Sequence, residues 1–206
     1  GVPSIIMNSI GSFMNFSMNQ ILQGFNETAT SVFGIYFKLQ SFVFMPVFGL
    51  TNGMIPIVAY NYGAQNKKRI YQTIKLSASI AVGIMLLGVV VFQIFPKTLL
   101  GLFEASDHML EIGVPALQTI SLSFVFAGFC IVSSCVFQAL GNGVYSMLLS
   151  IARQIVIILP VAFVFAKLFG LNMVWFAYPI AEVVSVITCI FMLKHILKSK
   201  VKPLAN

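Results

Sequence analysis

Two ionisable residues, Arg153 and Glu182, stand deep inside long apolar stretches of this sequence. Each lies nine residues from the end of its stretch, so a helical rise puts it roughly 14 Å deep, near the middle of a bilayer. A charge at that depth is a functional candidate by default, for the binding of a proton or cation or as part of a transport path. It is equally consistent with a buried structural pair. The two stretches are consecutive, so antiparallel helices would bring Arg153 and Glu182 together. Glu182 is the only acidic residue within an apolar stretch, which makes it the candidate for any cation bound there.

A second pattern lies near the N-terminus. Asn8, Ser12, Asn15, Asn19 and Gln23 are spaced by four, three, four and four residues. At about 100° per residue they stay within roughly 80° of one helix face. Amides turned toward lipid are costly, so this stripe should face protein or water. One reading is the wall of a polar substrate cavity; the other is hydrogen bonding between packed membrane helices. The stripe has no carboxylate and cannot itself bind a proton.

Other chemistry is missing from the sequence. There is no phosphate-binding loop, no HExxH and no Ser/His/Asp set, so no enzyme is expected. His108 and His195 lack partner residues and read as solvated loop or headgroup positions. Cys130, Cys135 and Cys189 all lie in apolar stretches without CxxC or Cys/His spacing, which predicts buried thiols, no disulfide and no metal site. No cofactor is implied.

The elements that would carry these residues are membrane-spanning helices. Hydrophobic residues make up 59% of the 206, and charged ones 8%. Soluble domains carry about 25% charged residues, so this chain could not cover a water-facing surface. Stretches of about 20 apolar residues suffice to cross the hydrocarbon core. Six are found, at approximately 2–23, 31–60, 74–95, 112–140, 144–166 and 173–193. The fold class is therefore an all-α membrane protein, a six-helix bundle in a single domain covering residues 1–206. Pro46, Pro56, Pro160, Pro179 and Gly128 fall inside spans, where they bend or relax helices.

Charge sets the orientation. Lys67, Lys68, Arg69 and Lys75 follow the second span, and Lys194, Lys198, Lys200 and Lys202 follow the sixth. An even number of spans puts both groups on one side, which holds eight of the 12 basic residues. The opposite side holds Glu27, Glu104, Asp107 and Glu111 with Lys97 and Lys167. The Lys/Arg excess marks the cytoplasmic face, so both ends of the chain are expected at the cytoplasmic side of the cell membrane. Lys38 should snorkel to the outer interface. This asymmetry accounts for the net charge of +7 without a nucleic-acid partner.

The ordered segments resemble a known family. Gly49-Leu50-Thr51-Asn52-Gly53-Met54-Ile55-Pro56, followed by Ala59-Tyr60-Asn61-Tyr62-Gly63-Ala64-Gln65-Asn66, is similar to the eighth span and cytoplasmic loop of MATE (multidrug and toxic compound extrusion) transporters. Gly1-Val2-Pro3, Phe137-Gln138-Ala139-Leu140-Gly141-Asn142-Gly143, Arg153-Gln154 and Ala177-Tyr178-Pro179-Ile180-Ala181-Glu182 continue the likeness in family order.

The resemblance implies the C-terminal lobe, spans seven to twelve, of a two-lobe transporter. It makes the chain a fragment whose partner is the N-terminal lobe of the same polypeptide. It implies export of small amphipathic or cationic compounds, driven by Na+ or H+ through alternating access. Members that couple through this lobe carry carboxylates in the seventh and tenth helices. Here the first span has Gly11 and Ser12, and the fourth has no Asp or Glu beyond Glu111. The coupling ion is therefore expected to bind mainly in the N-terminal lobe. Alternatives are a lipid-linked oligosaccharide flippase of the same superfamily, and a channel or non-transporting subunit.

Overall fold

The computed structural model describes residues 2–103 and 106–204, with every side chain among them except that of Gln154. Gly1, Glu104 and the Gln154 side chain, used above for the resemblance and the outer charge, lie outside it. The described residues form helices joined by short turns, and no strand occurs among them. Helix α1 spans Val2–Gln23, α2 Glu27–Gly63, α3 Lys67–Ile94, α4 Pro96–Gly101, α5 Asp107–Ser121 and α6 Phe124–Ala139. Then follow α7 (Gly143–Ile151), a π-helical stretch Ala152–Ile158, α8 (Leu159–Leu168), α9 (Leu171–Val174) and α10 (Ala177–Ile196), which ends in a π-helical turn, Leu197–Val201.

Local chemistry explains the boundaries. The Asn26 side chain accepts from Ala29 N–H at 2.8 Å and opens α2, and Asn66 does the same from Arg69 N–H at 3.2 Å for α3. Such caps satisfy backbone donors that a helix start leaves free. Between α2 and α3 the chain reverses at Gln65, with φ 56°. Pro96, which has no N–H to lose, starts α4. Gly141 (φ 83°) and Gly170 (φ 90°) supply the left-handed turns beside α7 and α9.

Among the described residues, four helices are long and apolar enough to cross a membrane: Glu27–Gly63, Lys67–Ile94, Gly143–Leu168 and Leu171–Val201. The α5–α6 pair makes a fifth if counted as one bent span. The sixth expected span, α1, has 22 residues, but its amides and serines keep it outside that apolar set.

Three expected spans differ internally from simple helices. Span 112–140 is broken by a 48° bend between α5 and α6. No Pro or Gly sits there. Instead Ser123 Oγ donates back to Ile120 O at 2.7 Å, a bond that competes with the helical ladder. On the adjoining helix, the Gln93 amide donates to Gln118 O and to Ser121 Oγ (3.0 Å), while Gln118 returns a bond to Gln93 O at 3.2 Å. Span 144–166 contains the π-helical stretch just ahead of Pro160. That proline lacks an N–H and crowds the carbonyl four residues earlier, which disfavours a regular α turn. Span 173–193 begins as a separate short turn, and its long helix starts at Ala177.

Helix α6 lies at the centre of the bundle, against α2, α3, α7 and α10. Gly128 marks its closest approach to α3, because a Cβ there would lie 2.8 Å from Met85 Cγ. Gly88 does the same for α3 against α2, with Val43 Cγ1 at 2.6 Å. Close backbone approach through small residues is how membrane helices gain packing energy. Gly128, expected as a helix relaxer, is thus a packing position. Phe33, Phe92, Phe124 and Trp175 fill the core, while Phe42, Leu86, Leu87 and Phe191 lie on the outer surface, as a lipid solvent allows.

The loops sort into two ends. Lys67 Nζ donates to Lys202 O at 3.2 Å, which joins the two basic groups, and Lys200 Nζ donates to Leu140 O at 2.8 Å, at the end of α6. At the other end His108 Nδ1 lies 3.1 Å from Thr28 Oγ1, a partner that its reading as a solvated residue lacked. There Lys38 Nζ lies 5.7 Å from the Phe103 ring centre.

Candidate functional site

Helix α10 packs along both α6 and the π-helical stretch, and this brings the two intramembrane charges together. Arg153 Nη1 donates to Glu182 Oε1 at 3.1 Å. The Glu182 side chain is 6% exposed and that of Arg153 25%. The bond has one prong. Glu182 Oε2 and Arg153 Nε are both buried and without a hydrogen-bond partner, whereas a two-pronged guanidinium–carboxylate pair would satisfy more of these atoms.

The pair sits on the wall of a cavity of about 570 Å³. Helix α1 contributes Gly11, Met14 and Asn15, and α2 contributes two adjacent lines of side chains. Tyr36, Gln40, Phe44 and Phe48 form one line at four-residue spacing, and Phe37, Ser41 and Met45 form the other. The α5–α6 bend presents Ser123, followed by Ala127 and Ile131 from α6; Tyr178 and Glu182 come from α10. A space of this size, mostly apolar and with a few convergent polar groups, has the character of a small-molecule site. Its aromatic rings suit a flat or cationic body.

Arg153 also lines a second cavity of about 160 Å³, with Cys130, Ser134, Cys135, Gln138, Leu149 and Ser150. Phe48, Ile131 and Arg153 are common to both and form the partition between them. Gln138 is exposed and lies toward the end where the basic groups gather. The three cysteines are free thiols; Cys130 and Cys189 share a small buried cluster with Leu149.

The polar stripe of α1 does not form one wall of this cavity. Asn15 lines it, and its Oδ1 is buried without a partner. Asn19 is half-buried, while Asn8, Ser12 and Gln23 are exposed. The reason is rotational. Helix α1 packs through Ile10, Met14, Met18 and Leu22, and the stripe is centred roughly 120° away around the helix, with Asn15 at its near edge.

Sequence reasoning missed the α2 wall. A signal existed in Gln40-Ser41, two polar residues inside an otherwise apolar span, aligned by four-residue spacing with Tyr36 and Phe44. The second cavity had no signal of its own, since Ser134, Gln138 and Ser150 come from two helices whose rotation only packing sets.

Known proteins match this chain in sequence and in fold. The MatE family profile matches residues 3–164. The multidrug export protein MepA of Staphylococcus aureus (strain bovine RF122 / ET3-1) is 31% identical over 183 residues, covering 88% of this chain and 40% of MepA. The chain thus spans less than half the length of this relative. A multidrug resistance MATE family transporter solved in its inward-facing conformation superposes with a TM-score of 0.91 at 23% identity, covering 100% of this chain and 48% of that one. The outward-facing conformation of such a transporter also gives 0.91 at 23% identity, over 98% and 46%. A profile match across most of the sequence, on an all-helical membrane fold shared with solved members, means that this chain belongs to the MatE family of multi-pass membrane transporters.

Proposed function

We propose that the chain is the C-terminal lobe of a multidrug efflux antiporter. The observation that carries this reading is the exposed polar stripe of α1. Asn8, Ser12 and Gln23 lie on the outside of a bundle that is otherwise fit for lipid. Exposed polar side chains within the span, here Asn8 and Ser12, call for water or protein beside them. A second, N-terminal lobe across a water-filled cleft meets that requirement. The exposed face of α2 at Gly49, Asn52 and Gly53 offers a second small, polar surface for the same cleft.

Substrate, a small amphipathic or cationic compound, enters from the cleft and rests against the aromatic wall of the larger cavity. The lobe moves as a rigid body. Its fit to the inward-facing and outward-facing structures is equal, which supports rocking of intact lobes over remodelling of this one. Inward Na+ or H+ drives the cycle, with the main coupling site in the N-terminal lobe. The end that joins Lys67 to Lys202 lies at the cytoplasmic face of the cell membrane, where the basic residues gather. A flippase of anionic lipid-linked sugars would need free cations in the cavity. Arg153 is the one basic residue on its described walls, and Glu182 holds it.

The test is counterflow in proteoliposomes with the intact protein that carries this chain. Uptake of labelled organic cation against an excess of unlabelled cation inside is the expected result. Ion conductance without substrate exchange would overturn the carrier reading in favour of a channel.

A further inference from the structure

The geometry points to a site for one inorganic monovalent cation, a proton or Na+, formed by Glu182 Oε2 and Asn15 Oδ1, with Arg153 standing in for the cation until one arrives and then withdrawing into the smaller cavity. The site deepens the ion-driven reading above by adding a cation position to this lobe. It is built from residues other than the absent carboxylates of the first and fourth spans.

Four observations converge. First, Glu182 Oε2 and Asn15 Oδ1 are buried acceptors without partners, and both residues line the same cavity. A buried acceptor left unmet is costly, and a cation bound in the cavity that both residues line would relieve that cost. Gln40, Ser41, Tyr36 and Tyr178 add neutral oxygens to its wall.

Second, the Arg153–Glu182 bond is one-pronged, so the guanidinium neutralises the carboxylate while leaving its other oxygen buried and unpartnered. Third, Arg153 lines both cavities, whereas Glu182 lines only the larger. The smaller cavity offers a second berth among the Ser134 and Ser150 hydroxyls and the Gln138 amide, at its exposed end. Fourth, Arg153 stands on π-helical backbone, a conformation that lacks the regular α register and recurs at functional positions.

The charge logic follows. With Arg153 on Glu182 the pair is neutral. A cation on Glu182 brings the site to one net positive charge, and repulsion drives the guanidinium toward the polar berth. Around Glu182 the other titratable groups are Tyr36 from α2, Tyr178 and Cys189 from α10, and Cys130 from α6. Helix α1 adds only an amide and a thioether. Glu182 is the one carboxylate among them, so acidification acts there.

Difference infrared spectroscopy on the intact protein in lipid reads this site without requiring transport, so its failure would leave the export reading standing. Acidification of wild type should produce a protonated-carboxyl band. Replacing choline with Na+ at fixed alkaline pH should shift the carboxylate bands. The arm in which wild type and Glu182→Gln differ identifies the cation. The part of the response that belongs to Glu182 should be absent from Glu182→Gln, shrink in Asn15→Leu and remain in Glu27→Gln, which alters an outer carboxylate. Alkylation of Cys135, on the wall of the smaller cavity, is followed by mass spectrometry of its peptide. It should slow severalfold when the same cation is added, relative to Arg153→Gln under identical conditions. If Glu182→Gln does not fold, Arg153→Met/Glu182→Leu, which removes both charges together, replaces it. Spectra that coincide between wild type and the charge-free variant in both arms would overturn the site. A carboxylate response with an unchanged Cys135 rate would overturn the withdrawal of Arg153.

Discussion

Replacing Glu182 with Gln keeps the side chain's size and one acceptor oxygen but removes the charge that Arg153 faces at 3.1 Å. Removing one partner of a buried ion pair costs about 3–5 kcal/mol, because the other charge is left uncompensated. Two features of this pair reduce that figure. The Gln oxygen can still accept from Nη1, which retains about 1 kcal/mol of a neutral hydrogen bond. Arg153 is 25% exposed at its side chain, so water in the cavity meets part of the freed charge. The expected loss is therefore about 2–4 kcal/mol. Arg153→Met/Glu182→Leu removes both charges at once. It should be close to neutral for stability, because replacing a buried pair with apolar groups of similar volume avoids desolvation of both ions. The assay is a double-mutant cycle of Arg153→Met, Glu182→Leu and the two together, beside Glu182→Gln, on thermal or denaturant unfolding of the intact protein in detergent, with retention on gel filtration as the folding check. A coupling energy of about 2 kcal/mol or more is expected, as for residues in direct contact. The charge swap Arg153→Glu/Glu182→Arg should recover part of the stability lost by either single variant. Additive losses in the double variant, or a swap no better than the worse single variant, would refute the pairing as a coupled unit.

The other outcomes concern separate parts of the molecule. Asn15→Leu should lower drug resistance in cells at unchanged expression, because Asn15 reaches the cavity. Asn8→Leu should instead weaken the fit to the second lobe, seen as lower yield of monodisperse protein. Gly88→Ala should cost about 1–3 kcal/mol in unfolding, since its Cβ would lie 2.6 Å from Val43 Cγ1 and the α2–α3 contact must open. Gly83→Ala, with nothing within 4 Å of its Cβ, should be neutral or slightly stabilising in the same assay. Lys200→Ala removes the ammonium that holds Leu140 O at 2.8 Å, and should lower stability by about 0.3–1 kcal/mol, an effect that added salt diminishes.

The fold was legible because lipid imposes a coarse rule. Each crossing must satisfy its own backbone and present apolar side chains, so runs such as 74–95 show themselves by composition alone. Caps such as Asn26 and Asn66 are legible in principle for a related reason, since the local chemistry of a cap does not depend on distant packing. The break at Leu122–Ser123 was not. It comes from serine back-bonding and from glutamines of two helices meeting, and neither leaves a breaker residue in the sequence. Nor was the π-helical stretch, because a proline signals disturbance but not the form it takes.

The site divides in the same way. Arg153 and Glu182 were found because an ion within a membrane span is costly enough to stand out as a single residue, and antiparallel depth alone suggested that they meet. The stripe of α1 could be read as a face but its facing could not be derived, since periodicity fixes which residues share a side and not which neighbour that side meets. Here Met14 and Met18 won the inward position over the amides. This outcome is informative in its own right. On the two-lobe reading, a helix within one lobe gains most by burying its thioethers and aliphatics in that lobe and turning its amides outward, where a water-lined cleft would solvate them. Asn15, at the boundary between the two faces, is the one member of the stripe that serves both. That position makes it the residue through which a cation and a substrate held in the lobe's cavity would sense one another.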